Sequence, residues 1–162
     1  MFLIVLGGIF WGLSISKDVN EAGVEGSSIY FKTPGFIIPI INGKPDKIIK
    51  HDVSGATEYV YYDQKIFQHD STIYYNCLMG LNRIYVEIPI DDQDGMETFY
   101  YISDYMCDIY SHKDGFYNEG IIENTEDETI SQQFGADFKA TGISVKIELE
   151  SGWISISATY QY

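Results

Sequence analysis

Residues 83–111, RIYVEIPIDDQDGMETFYYISDYMCDIYS, hold both of the periodicities from which the fold is read. Ile84, Val86, Ile88 and Ile90 alternate with Arg83, Tyr85, Glu87 and Pro89, so a strand here turns one apolar face inward and the other toward solvent or a partner. From Asp92 to Ser111 the period changes from two to 3.6. At about 100° per residue, Phe99, Ile102, Met106, Ile109 and Tyr110 gather within one arc, the pattern of an amphipathic helix with that arc in the core.

Outward from this stretch the chain reads mostly as short strands. Glu58 to Phe67 and Thr72 to Met79 precede the central strand, and connections this short permit only antiparallel pairing. Ile143 to Leu149 and Trp153 to Tyr160 form a closing hairpin around Ser151-Gly152. Upstream, Lys17 to Ser28 is a polar loop, and Ile29 to Lys32 and Phe36 to Ile41 are β-like runs split by Pro34-Gly35. Pro39 sets the second of these at a sheet edge, because proline cannot donate a ladder hydrogen bond. Asn42-Gly43 then turns the chain into Lys47 to His51. Thr125 to Lys139 reads as a shorter helix weakened by Gly135. The expected fold class is α+β: a single antiparallel sheet of short strands, one main amphipathic helix packed across it, and a C-terminal hairpin, all in one globular domain spanning residues 1–162.

The N-terminus supports two readings. Met1 to Ile15 is apolar, and Ser14-Ile15-Ser16 supplies the small residues of a signal-peptidase site, which would make residues 1–16 a leader. Against export, no Lys or Arg precedes the apolar run, and Gly7-Gly8 can join Phe2–Leu6 and Ile9–Ile15 as a tight hairpin. The hairpin is favoured, with cytoplasmic localisation. The segment is too short to span a bilayer, which takes roughly 20 apolar residues.

Charge is distributed unevenly along the chain. Of 24 acidic residues, 13 fall between Glu87 and Glu128, where Lys113 is the only Lys or Arg, against a net charge of -14 for the whole chain. So few bases argue against direct binding to nucleic acid or anionic lipid, both of which present phosphates. They point to a basic protein as partner. Cys77 and Cys107 have no metal-ligand or redox spacing and read as buried thiols, although an exported chain would allow them to pair.

Within the helix, Glu97, Asp104 and Asp108 fall within about 20° of one line opposite the apolar arc, flanked by Tyr100 and Tyr101. No Lys or Arg occupies the i±3 or i±4 positions that would neutralise them. A solvated helix face is the plain alternative. Asp92, Asp94 and Glu97 suit a helix N-terminus, where the dipole favours negative charge and Asp92 or Asp94 can cap the first turn. Asp108 sits at the opposite end, where the dipole disfavours it. Eleven of the 14 tyrosines lie between Tyr59 and Tyr117, and tyrosine suits both strands and interfaces. The expected partner-binding set is Asp91, Asp92, Asp94, Glu97, Tyr100, Tyr101, Asp104, Asp108 and Tyr117.

Other motifs fail on spacing. Aligning Gly95 with the sixth position of a calcium loop puts Ile90 first and Tyr101 twelfth, where a ligating Asp and a bidentate Glu are required. His51-Asp52 and His69-Asp70 have no accompanying nucleophile motif, and Gly7, Gly8 and Gly12 give no phosphate-loop spacing. The sequence therefore indicates no enzyme, no cofactor and no metal. It suggests a non-enzymatic inhibitor, an immunity protein or antitoxin that neutralises a basic, nuclease-like toxin. The alternatives are a DNA mimic that blocks restriction, or an exported envelope protein.

Overall fold

The computed structural model describes residues 24, 27, 29, 31–91, 93–138 and 141–161. Among the described residues eight strands form one sheet: β1 (Lys47–Lys50), β2 (Thr57–Ile66), β3 (His69–Cys77), β4 (Leu81–Pro89), β5 (Phe116–Asn124), β6 (Thr129–Phe138), β7 (Thr141–Glu150) and β8 (Trp153–Gln161). Their spatial order is β1-β2-β3-β4-β8-β7-β6-β5, with every neighbouring pair antiparallel. Two four-stranded meanders thus meet at the β4–β8 seam. Two helices, α1 (Ile38–Asn42) and α2 (Gly95–Ser111), accompany the sheet, and the architecture is α+β.

The alternation in β4 places Ile84, Val86 and Ile88 fully in the core, against Ile154, Ile156 and Ala158 of β8 and Val145 and Ile147 of β7. Helix α2 connects β4 to the far edge strand β5 and packs on β5 to β8. It buries Phe99, Ile102, Met106 and Tyr110 completely and Ile109 partly, as the 3.6 period requires. Burying each such side chain contributes about 1.5–3 kcal/mol. Over β1 to β4 the same face is covered by Val24, Ile29, Phe31, Ile37 and Ile38. The β2–β3 connection is a two-residue turn, with Phe67 at φ 48° and Gln68 at φ 68°, the positive pair that matches strand twist.

Three expected elements differ. Phe36–Ile41 is not an edge strand: Gly35–Ile37 is a 3-10 turn that leads into α1. Pro39 sits in the first turn of α1, where its missing N–H goes unneeded and its fixed φ suits a helix. Ile29 to Lys32 forms no strand over its described residues, although Lys32 N donates to Leu81 O at 2.7 Å and Leu81 N to Thr33 O at 2.7 Å.

Over its described residues, Thr125–Lys139 is not helical. Asn124 Oδ1 accepts from Glu126 N at 3.0 Å and its Nδ2 donates to Asp127 Oδ2 at 2.7 Å, closing a turn that folds β5 back on β6. In β6, Gln132, Phe134 and Ala136 alternate inward at a period of two. The Gly7-Gly8 hairpin and the leader reading both fall outside the described residues.

Candidate binding face

Helix α2 begins at Asp94, whose carbonyl accepts from Thr98 N at 3.0 Å. Its carboxylate makes no capping hydrogen bond, so Asp94 does not supply the expected cap and its charge remains exposed. Asp91 O accepts from Asp94 N at 3.0 Å, and both residues line a shallow cleft of about 320 Å³ with His69, Pro89, Ile90 and Gly152. Asp92 is outside the described residues.

Along the helix, Glu97, Asp104 and Asp108 are all exposed, opposite the buried arc. At about 1.5 Å rise per residue, Glu97 and Asp108 mark out a stripe roughly 16 Å long. The ion pairs among the described residues are Lys65–Asp70 at 2.6 Å, Lys146–Glu148, and a loose His112–Asp108 contact at 3.9 Å. None brings a Lys or Arg to the stripe. Lys113 places its Nζ 4.5 Å from the centre of the Tyr110 ring. The Cys107 thiol on the same helix is pushed above its ordinary pKa, first by burial and then by the charges of Asp104 and Asp108. It therefore registers the negative potential of this surface.

Tyr100 and Tyr101 flank the stripe and are exposed. Tyr105, which the sequence analysis passed over, joins them: it stacks on Tyr101 at 6.3 Å and meets the edge of Phe67, in the β2–β3 turn, at 5.5 Å. The helical i,i+4 spacing of Tyr101 and Tyr105 was available as a signal. Phe67 gave none, because it reaches the helix only through the tertiary fold. Rings held in place before binding lose less freedom on association, which makes a contact surface more effective.

Tyr117 is elsewhere. It pairs with Gly135, and a Cβ built on Gly135 would lie 2.8 Å from the Tyr117 hydroxyl, so its ring covers the sheet face opposite α2. Glu87 is also on that opposite face and accepts a 2.7 Å hydrogen bond from the Tyr74 hydroxyl. Glu119, Glu123, Glu126, Asp127 and Glu128 lie on β5 and the β5–β6 turn. The acidic block of the sequence is thus divided among three surfaces, and only its helical part forms a line.

The opposite sheet face has a cleft of about 230 Å³, lined by Tyr85, Glu87, Glu148, Glu150, Trp153, Ile154 and Ser155. Its carboxylates and rings suit a cationic side chain, and they come from three strands that no sequence spacing connects. Among the described residues no cluster of three His, Cys, Asp or Glu is placed to hold a metal ion. Cys77 is buried and Cys107 half-buried, and both are free thiols. None of the helices in the described residues is long and apolar enough to cross a membrane. No family model matches the chain, and neither the curated proteins nor the solved structures contain a match.

Proposed function

We propose that the protein is a non-enzymatic inhibitor, an immunity protein that neutralises a basic, nuclease-like toxin in the bacterial cytoplasm by covering its cationic cleft with the outer face of α2. One observation carries this: Glu97, Asp104 and Asp108 form a line without a Lys or Arg counter-charge and are bordered by Tyr100, Tyr101 and Tyr105. Carboxylates stand in for a polyanionic substrate and steer the encounter, while tyrosines supply apolar contact at little entropic cost. Asp91 and Asp94 extend the acidic surface at the helix N-terminus.

A DNA mimic requires carboxylates in rows on more than one element, whereas the ordered row here belongs to a single helix. That favours a protein cleft over a duplex-binding groove as the target. The test is co-purification from the native host, followed by replacement of Glu97, Asp104 and Asp108 together by lysine. A basic protein is expected to be recovered with the parent chain, in a salt-sensitive complex, and lost with the triple variant while the fold persists. Recovery of no basic protein, or a complex indifferent to both salt and charge reversal, removes the proposal.

A further inference from the structure

At the β4–β8 seam, the sheet face opposite α2 contains a pit with a small floor. Glu87, Ser155 and Glu148 form one row across β4, β8 and β7, and Pro89, Trp153 and Glu150 form the next row on the same face. Tyr85 borders the pit from the other side, in the row that it shares with Ser157. A serine is therefore ringed by two large aromatic side chains and three carboxylates, and the cleft of about 230 Å³ is the room that its short side chain leaves. Sites for drug-sized ligands run to roughly 300–1,000 Å³, so this one has the size for a single side chain. Trp153 is half exposed at its margin.

The nearby bases are engaged in other contacts. Lys146 pairs with Glu148. Arg83, further along β4, donates to Ser157 Oγ at 3.1 Å and lies 5.2 Å from the centre of the Tyr85 ring. Lys65 is bound to Asp70 at 2.6 Å. Glu87 and Glu150 have no Lys or Arg ion partner among the described residues. Glu87 Oε2 accepts from the Tyr74 hydroxyl at 2.7 Å, which holds that carboxylate in place and leaves its other oxygen for a ligand. Burial and then the Glu87 charge push the Tyr85 hydroxyl above its ordinary pKa, so the negative potential reaches the wall of the pit.

We propose that this pit takes the guanidinium group of an arginine residue carried on a polypeptide, which lies against Trp153 and Tyr85 and donates to Glu87 and Glu150. A cation is attracted to aromatic rings, and carboxylates supply charge-assisted acceptors. Guanidinium combines both contacts because it is planar enough to stack and carries five donors in a fixed fork, whereas an ammonium is a compact point charge. Tyr85 already accommodates one such group, that of Arg83. Free arginine would bring its own carboxylate against the acidic rim, which favours a residue within a chain. The site does not depend on the inhibitor reading, since α2 covers the other face of the sheet.

Titration of the full chain with N-acetyl-arginine amide, followed by NMR at the Trp153 indole N–H and the Ser155 amide, tests the inference. A dissociation constant on the order of 1 mM is expected, weakening as salt is raised. Glu87→Gln/Glu150→Gln is expected to weaken binding at least tenfold. N-acetyl-citrulline amide, which has the same shape without the charge, should not bind. Glu97→Lys/Asp104→Lys/Asp108→Lys should leave the titration unchanged, and the dispersion of each spectrum checks that the variant folds. The inference is overturned if the two signals do not move, if sodium chloride at matched ionic strength moves them equally, or if binding survives the double Gln variant. Equal affinity for N-acetyl-lysine amide refutes the guanidinium, and equal affinity for free arginine refutes the polypeptide carrier.

Discussion

Replacing Asp108 by lysine separates a functional helix face from a merely solvated one, because stability and binding are expected to move in opposite directions. Asp108 is in the last turn of α2, where no basic residue occurs to complement the helix dipole. Removing an acid there and installing a base is worth about 0.3 kcal/mol each at the low end of dipole effects. Asp104 lies one turn earlier, so an i,i+4 repulsion becomes an attraction, worth roughly 0.5 kcal/mol in total. The loss is the His112–Asp108 contact, 3.9 Å long between side chains that are both about four-fifths exposed, which costs at most about 0.3 kcal/mol. Ser111 Oγ donates to the backbone oxygen of Asp108, so that bond is unaffected.

The net effect of Asp108→Lys is a gain of about 1 kcal/mol, which for a domain of this size raises Tm by roughly 2–4 °C. Differential scanning calorimetry at low and high salt measures it, and the gain should shrink with salt. Association with the partner should slow on the order of tenfold, since charges at the rim of an interface act mainly on the on-rate. Retaining an acid that costs stability is reasonable only if something else uses it. A variant that is less stable by 1 kcal/mol or more would show that Asp108 has a structural role. A stabilised variant that binds at the parent rate would show that the stripe is only solvated.

Gly135→Ala should destabilise the fold by about 3 kcal/mol in urea unfolding, because the added Cβ would lie 2.2 Å from Ile143 O, a backbone atom that cannot move aside alone. Ser103→Ala should stabilise by about 1 kcal/mol, since the Ser103 hydroxyl is fully buried with no hydrogen-bond partner. Burial pushes the Cys77 thiol up to about 12 and, with neighbouring tyrosines and Asp46, the Tyr61 hydroxyl up to about 12. These groups are held protonated by the fold, so their contribution is complete below pH 9 and is lost as pH rises toward 12. Urea midpoints should be flat from pH 6.5 to 8.5 and clearly lower by pH 10.5; equal midpoints would contradict the assignment. Asp104→Lys should lower the Cys107 pKa and accelerate its alkylation by iodoacetamide at pH 8, because it reverses one of the two charges that hold the thiol protonated.

The sheet and main helix were legible because each repeats one local rule. Ile84, Val86 and Ile88 alternate without exception, and Phe99, Ile102, Met106 and Tyr110 follow helical spacing, so periodicity alone located both. It failed where a residue type has two meanings. Pro39 ends a strand but begins a helix, and the competing clue was the Ile37-Ile38 pair that turns inward while Ile40 and Ile41 remain outside. β6 was hidden by its composition. Its inward positions include Gln132, and Gly135 occupies the outward position that the Tyr117 ring covers, so neither face of the strand reads as apolar or polar.

The candidate face divides in the same way. Glu97, Asp104, Asp108, Tyr100 and Tyr101 share one helix, and a helix converts sequence spacing into direction, so their common face could be read before the fold was known. Tyr117 could not be placed, because its side depends on where β5 enters the sheet and on the irregularity between Asn118 and Ile121. A one-residue change in a strand reverses the face of its side chains, whereas in a helix it turns them by about 100°. Charge density along the sequence is weaker still as a guide. Glu87 and Asp94 are seven residues apart yet lie on different surfaces, one bonded to Tyr74 beneath the sheet and the other exposed at the start of α2. What a partner meets is local potential within a screening length, which composition does not contain and the order of strands does.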